Sequence, residues 1–251
     1  MKSIVAGLIG LAMCAGPSTA AQDSNPCGLA ESAVGAVFPM PRAAKAIEQT
    51  GQLTVLVVGA GSSALPGPDG AARAYPARLQ VALAGKWPAV KVKVITDVKP
   101  RRTAADMLTG LGAVLSAVKP SVVVWQTGTN DAVAGVDPDA FNAALDRGVT
   151  RAHAAGADLV LMNTQYSPRT ETMIAVGVYG DIMRSVALHR EVSLFDRFSV
   201  MKTWSELGIF DLRSAANKLD TAQRVHDCIG RLLADLLAEA ISRRAGDTNK
   251  N

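Results

Sequence analysis

The chain has 251 residues, 49% of them hydrophobic but only 4% aromatic, and a formal net charge of +4. That is enough aliphatic material for one domain with a full core, while the scattered basic residues, with no basic stripe and no interleaved aromatics, exclude the usual footprint of a nucleic-acid partner. Three histidines without ligand spacing and three cysteines without a cluster argue against a metal site, and no cofactor is implied.

Residues 1–20 read as a signal peptide: Lys2 is the positive n-region, "IVAGLIGLAM" the apolar run, and Ser18–Ala20 the small residues before cleavage. The run is too short for a membrane span, so the expected product is exported, periplasmic or secreted, and starts near Ala21. The alternative is a lipoprotein anchored at Cys14, for which Met13 is a poor neighbour. In an oxidising compartment Cys27 and Cys228 remain as an even pair and are expected to form a disulfide; the alternative is two separate thiols. Residues 21–51 form a lead-in with three prolines and a short helix at "RAAKAIEQ".

From residue 52 to 244 strand and helix patterns alternate. "TVLVVGA" is a continuous apolar run, as in a strand covered on both faces. It enters "GAGSSALPG", which lacks the lysine and spacing of a phosphate loop. "YPARLQVALAGKWP" has helical spacing. "KVKVIT" alternates and turns Lys91 and Lys93 to water, as at a sheet edge. "AADMLTGLGAVLSAV" is an amphipathic helix. "SVVVWQTG" and "DLVLMNTQ" are buried strands separated by the helix "PDAFNAALDRGVTRAHAAG". A helix at "MIAVGVYGDIMRSVALHR", the strand "VSLFD" and a helix at "FSVMKTWSEL" follow. "RVHDCIGRLLADLLAEAISRR" closes the domain with one apolar stripe, and a polar tail occupies 245–251. Five strands alternating with helices predict a three-layer α/β/α sandwich on a five-stranded parallel sheet. The loops "GAGSSALPG", "TDVKPRRT", "TGTNDAVAG" and "AANKLDTAQ" then share the rim where such sheets bind ligands.

In order and spacing, "TVLVVGAGSSALPG", "VITDVKPRRTAADM", "VVVWQTGTNDAV" and "AANKLDTAQRVHDCIG" resemble the four conserved blocks of the SGNH/GDSL hydrolases, and "YPARL", "VLMNTQYSPR" and "CIGRLLA" resemble an exported bacterial subgroup. The resemblance implies a flavodoxin-like fold and acyl transfer: a serine attacks an ester, a histidine oriented by an aspartate takes its proton, and donors hold the oxyanion. Carried over without gaps, the family's positions fall on other residue types. The nucleophile is Gly61, the oxyanion glycine Arg101, the aspartate Asn217 and the histidine Asp220; only Asn130 is retained. Arg101 and Asp220 are then expected to pair across the former active site, close to Asn130 and Gly61. Re-registering the turn instead makes Ser63, or the nearer Ser62, the nucleophile, with His226 as base. The plain readings stand beside these: Ser62 and Ser63 as turn residues capping the next helix, Asn130 as a loop anchor, Arg101 as a solvated charge, and His226 as a packed or capping residue. Two functions follow. One is an exported esterase acting on acyl or acetyl esters, small-molecule or glycan; the other is an inactive periplasmic binding protein of the same fold.

Overall fold

The computed structural model describes residues 27–28, 35–173, 175–213 and 218–243. The expected signal peptide, Cys14, Asn217 and the polar tail lie outside them.

The chain enters through α1 (Pro41–Thr50) and β1 (Gln52–Gly59). A 3₁₀ turn at Gly61–Ser63 and the short α2 (Gly70–Arg73) lead to α3 (Tyr75–Lys86) and β2 (Lys91–Val98). Then come α4 (Ala104–Val118), β3 (Val122–Gln126), α5 (Thr129–Ala134), α6 (Pro138–Ala154) and β4 (Asp158–Met162). The last elements are α7 (Pro168–Met173), α8 (Val176–His189), β5 (Ser193–Phe195), α9 (Arg197–Glu206) and α10 (Lys218–Ser242). The five strands form one parallel sheet in the order β2-β1-β3-β4-β5, the flavodoxin-like order, whose ligand crevice opens beyond the carboxyl ends of the strands.

The period-two alternation of strands builds the three layers. Val55 and Val57 of β1 join Leu79, Leu83, Ile229 and Leu233 of α3 and α10 in one core. Leu56 and Val58 turn the other way, into a second core with Leu111, Leu145 and Met183 of α4, α6 and α8. β2 is the edge strand, and Lys91 and Lys93 are exposed on it as the alternation requires. Four segments differ from expectation. α2 and α7 are short helices where no element was expected, α10 begins at Lys218, about one and a half turns before the expected start at Arg224, and Thr129–Ala134 is a helix where a loop was expected.

α10 lies against α3 at close range. A Cβ on Gly230 would stand 2.8 Å from the backbone nitrogen of Leu79 and 2.6 Å from Cβ of Arg78, so only glycine lets these two helices meet here. The lead-in then crosses α10. Met40 N–H donates to the Ala240 carbonyl at 3.0 Å, and the Arg243 guanidinium donates to the Val37 carbonyl at 2.8 Å. The expected disulfide is present: Cys27 and Cys228 are bonded, their Cα atoms 5.5 Å apart, and Trp204 Nε1 donates to the Cys27 carbonyl at 2.7 Å.

Candidate functional site

β1 delivers the chain to the rim and the 3₁₀ turn sends its two serines in different directions. Ser63 turns inward and is 2% exposed. Its Oγ donates to Gln126 Oε1 at 2.9 Å and stands 2.9 Å from the Tyr75 hydroxyl. The space it occupies exists because residue 59 is glycine; a Cβ there would lie 2.4 Å from Ser63 Oγ. Gln126 Oε1 also receives the Ala60 N–H at 3.0 Å, which completes a small internal knot. Ser63 thus points inward, with its hydroxyl engaged by Gln126 and Tyr75. Ser62 remains half-buried on the cavity side, where Arg197 donates to its Oγ at 3.3 Å and to its carbonyl at 3.4 Å. Neither serine hydroxyl caps a helix, contrary to the plain reading.

His226 closes the site from α10. Tyr75 is the first residue of α3, its N–H is one of the donors every helix leaves unpaired at its start, and Ala74 before it supplies no capping side chain. His226 Nδ1 accepts that N–H at 3.0 Å. The sequence reading of His226 as a packed, capping residue therefore holds, and it rules the ring's chemistry. A neutral imidazole whose Nδ1 accepts carries its proton on Nε2, so it has no free lone pair to take a proton from a serine. Burial, reinforced by the positive Arg197, lowers its pKa from 6.5 to about 4, so the ring stays neutral.

A pH dependence of stability follows. A histidine whose folded pKa is depressed favours folding fully above its unfolded pKa and loses that contribution as pH falls. Between about pH 6.5 and pH 4 the unfolded chain binds a proton that the folded ring refuses, costing roughly 3 kcal/mol across the window. His226→Asn, which keeps an acceptor for the Tyr75 N–H, should flatten the slope of urea-unfolding free energy between those limits. Equal slopes in the two proteins would show that the ring protonates in place.

Arg197 opens α9 directly after β5 and is 1% exposed. No acidic side chain among the described residues lies within ion-pairing distance of it, and its Nε makes no hydrogen bond. The adjacent Asp196 is committed elsewhere, to Arg184, Asn163 and the Ser199 N–H. Burial draws the Arg197 pKa down from 12.5 to about 10, which still leaves a full charge at neutral pH. Ser62, Arg197 and His226 share the wall of a cavity of about 400 Å³ with Tyr166, Met201, Val225 and Ile229. These residues follow β1, β4 and β5 or lie on α10, so the cavity opens at the carboxyl ends of the strands.

The rim beside it departs from the ungapped carry-over. Arg101 and Asp220 are both exposed and make no ion pair with each other or with another described residue. Arg101 adopts φ 62°, a left-handed bend that turns it outward and sends its neighbour inward. Arg102 is the rim cation: it pairs with the Asp97 carboxylate at 2.8 Å and donates to the carbonyls of Gly59, at 3.0 Å, and Asp97. Asp220 lies in a separate surface depression with Arg73, Arg78 and Arg224. Gly61 is exposed and carries no side chain. Asn130 donates its amide to the Arg102 carbonyl at 2.9 Å, which makes it the loop anchor of the plain reading. Its neighbour Asp131, 1% exposed, accepts from Ala104 N–H, Thr127 Oγ1 and Gly128 N–H. Desolvation raises the Asp131 pKa against the pull of those hydrogen bonds. Of the sequence-selected residues that the structure describes, only Ser62 and His226 line the cavity. Arg197, Tyr75 and Gln126 were not singled out, although a charged residue directly after the buried strand "SLFD" is a rim signal in a parallel sheet.

No curated protein matches the chain in sequence. Among solved structures, TesA is 26% identical with a TM-score of 0.59 over 73% of this chain and 99% of its own. A catalytic mutant of the acetylxylan esterase Axe2 from Geobacillus stearothermophilus is 19% identical, with a TM-score of 0.58 over 76% of this chain and 95% of its own. The lipase/acylhydrolase from Enterococcus faecalis is 19% identical, with a TM-score of 0.56 over 72% and 93%. These likenesses agree with the sheet order in placing the fold among SGNH/GDSL hydrolases. Residues 26–243 match the non-GDSL lipase-like family, and since the match spans nearly all of the described residues, the chain belongs to that family.

Proposed function

We propose that this protein is an exported, non-catalytic member of its family that uses the cavity at Arg197 to hold a ligand. Export is read from the Lys2–Ala20 pattern and fits a disulfide between Cys27 and Cys228. The observation that carries the non-catalytic reading is the hydrogen bond from Tyr75 N–H to His226 Nδ1. It puts the ring proton where a base needs a lone pair. The other elements of a serine hydrolase are occupied as well: the Ser63 hydroxyl is buried in the Gln126 knot and the Asn130 amide is bonded to the Arg102 carbonyl.

The second reading is an esterase with Ser62 as nucleophile, favoured by one fact, that Ser62 and His226 line the same cavity. It requires His226 to release the Tyr75 N–H and take the other tautomer. An active-site fluorophosphonate and a chromogenic short-chain ester separate the two. The expected result is no covalent adduct on Ser62 or Ser63 by mass spectrometry, and ester turnover no faster than that of Ser62→Ala. An adduct on Ser62, with turnover that this substitution abolishes, would establish the esterase.

A further inference from the structure

The mechanism of an esterase gives Arg197 no task, yet the residue is buried in the wall of the cavity. A buried cation without a carboxylate partner is costly to keep and favours any anion that can reach it. Its two contacts to Ser62, at 3.3 and 3.4 Å, are long, and hydrogen bonds of that length are weak. Arg197 is a lining cation with no acidic partner among the described residues, so a single negative charge is what it has room to match, which fits a monoanion.

The remainder of the wall selects the body of the ligand. Most of it is apolar, with Met201, Val225, Ile229 and Leu219 prominent. An aliphatic chain gains from leaving water against these side chains. The cavity of about 400 Å³ lies within the range of small-molecule sites.

Resting on the non-catalytic reading above, we infer that the cavity binds a free carboxylic acid with an aliphatic chain. Its carboxylate sits on the Arg197 guanidinium beside the Ser62 hydroxyl, and its chain lies along Met201, Val225 and Ile229. The ligand is thus the charged acid and not a neutral ester, because only the acid supplies the charge that Arg197 lacks.

Titration calorimetry of the mature, disulfide-bonded protein at neutral pH tests this with octanoate, methyl octanoate, octan-1-ol, acetate and inorganic phosphate as probes. Octanoate should bind, and the two uncharged chains should bind at least about tenfold more weakly, the loss of a charge-assisted contact. Acetate and phosphate, which lack the chain, should also bind more weakly than octanoate. Arg197→Met should reduce octanoate affinity to the level of octan-1-ol. Ala222→Phe, which fills the apolar end with Arg197 intact, should reduce it independently, so the test does not hang on one variant. Octanoate failing to bind, binding no better than its methyl ester or than phosphate, or binding unchanged to Arg197→Met would overturn the inference. Release of methanol from methyl octanoate would instead overturn the non-catalytic reading on which it rests, so the two failures are told apart.

Discussion

Replacing both cysteines of the disulfide, Cys27→Ala with Cys228→Ala, should lower the unfolding free energy by roughly 3–5 kcal/mol. The bonded residues are 201 positions apart, so the bond forbids almost every expanded arrangement of the unfolded chain. In the chain-entropy account the effect grows with the logarithm of the closed loop, which puts this bond near the upper end of the usual range. For a domain of this size the loss corresponds to a fall in Tm of roughly 6–20 °C. Thermal unfolding of the wild type with and without reductant provides the internal control: reduced wild type should match the double variant, and the variant should ignore the reductant. A double variant that melts with the oxidised wild type would mean that the lead-in is held by its other contacts, such as the Met40 N–H to Ala240 carbonyl bond.

Arg197→Met should have the opposite sign. The guanidinium is buried without an acidic partner, and its pKa is drawn from 12.5 down to about 10. Since each pKa unit is about 1.4 kcal/mol, holding the charge in place opposes folding by roughly 3 kcal/mol. Methionine has similar length and no charge, so the substitution should stabilise the protein by roughly 1–3 kcal/mol after the lost contacts to Ser62 are deducted. The measurement is the urea midpoint at unchanged m-value. A clear destabilisation would show that Arg197 is kept for its bonds to the Ser62 turn. Stabilisation together with loss of octanoate binding is the signature of a residue retained for function at the expense of the fold.

The disulfide and Arg197 also mark what was and was not legible in the sequence. The strands were legible because a parallel sheet covered on both faces leaves unbroken apolar runs such as "TVLVVG" and "SVVVWQ". The disulfide was legible because, with Cys14 in the expected leader, Cys27 and Cys228 remain as an even pair. Helix α5 was not, since "TNDAVA" is short and is held by Asp131 bonds to the start of α4 and to the turn at Thr127–Gly128. The Arg101–Asp220 pair failed for a related reason. Counting residues without gaps assumes the backbone runs straight, whereas the left-handed bend at Arg101 exchanges the inner and outer arginine. No residue type announces that bend, because arginine seldom adopts it. His226 was correctly placed on the buried face of α10, but its role depends on Tyr75, which is 151 positions away. Arg197 was the hardest to see. Its importance lies in what does not surround it, a property that only the folded packing defines.

The lead-in that crosses α10 also sets an order of events in time. A polypeptide emerges from its amino end, so Cys27 appears early and Cys228, near the carboxyl end, almost last. The sheet, α3 and the walls contributed by β1, β4 and β5 can all assemble while Cys27 is still a free thiol. The bond to Cys228 can form only once α10 has been laid against Leu79 and the rest of α3, which makes covalent closure a record that the whole chain has arrived and docked. A truncated or stalled product lacking α10 could not be locked.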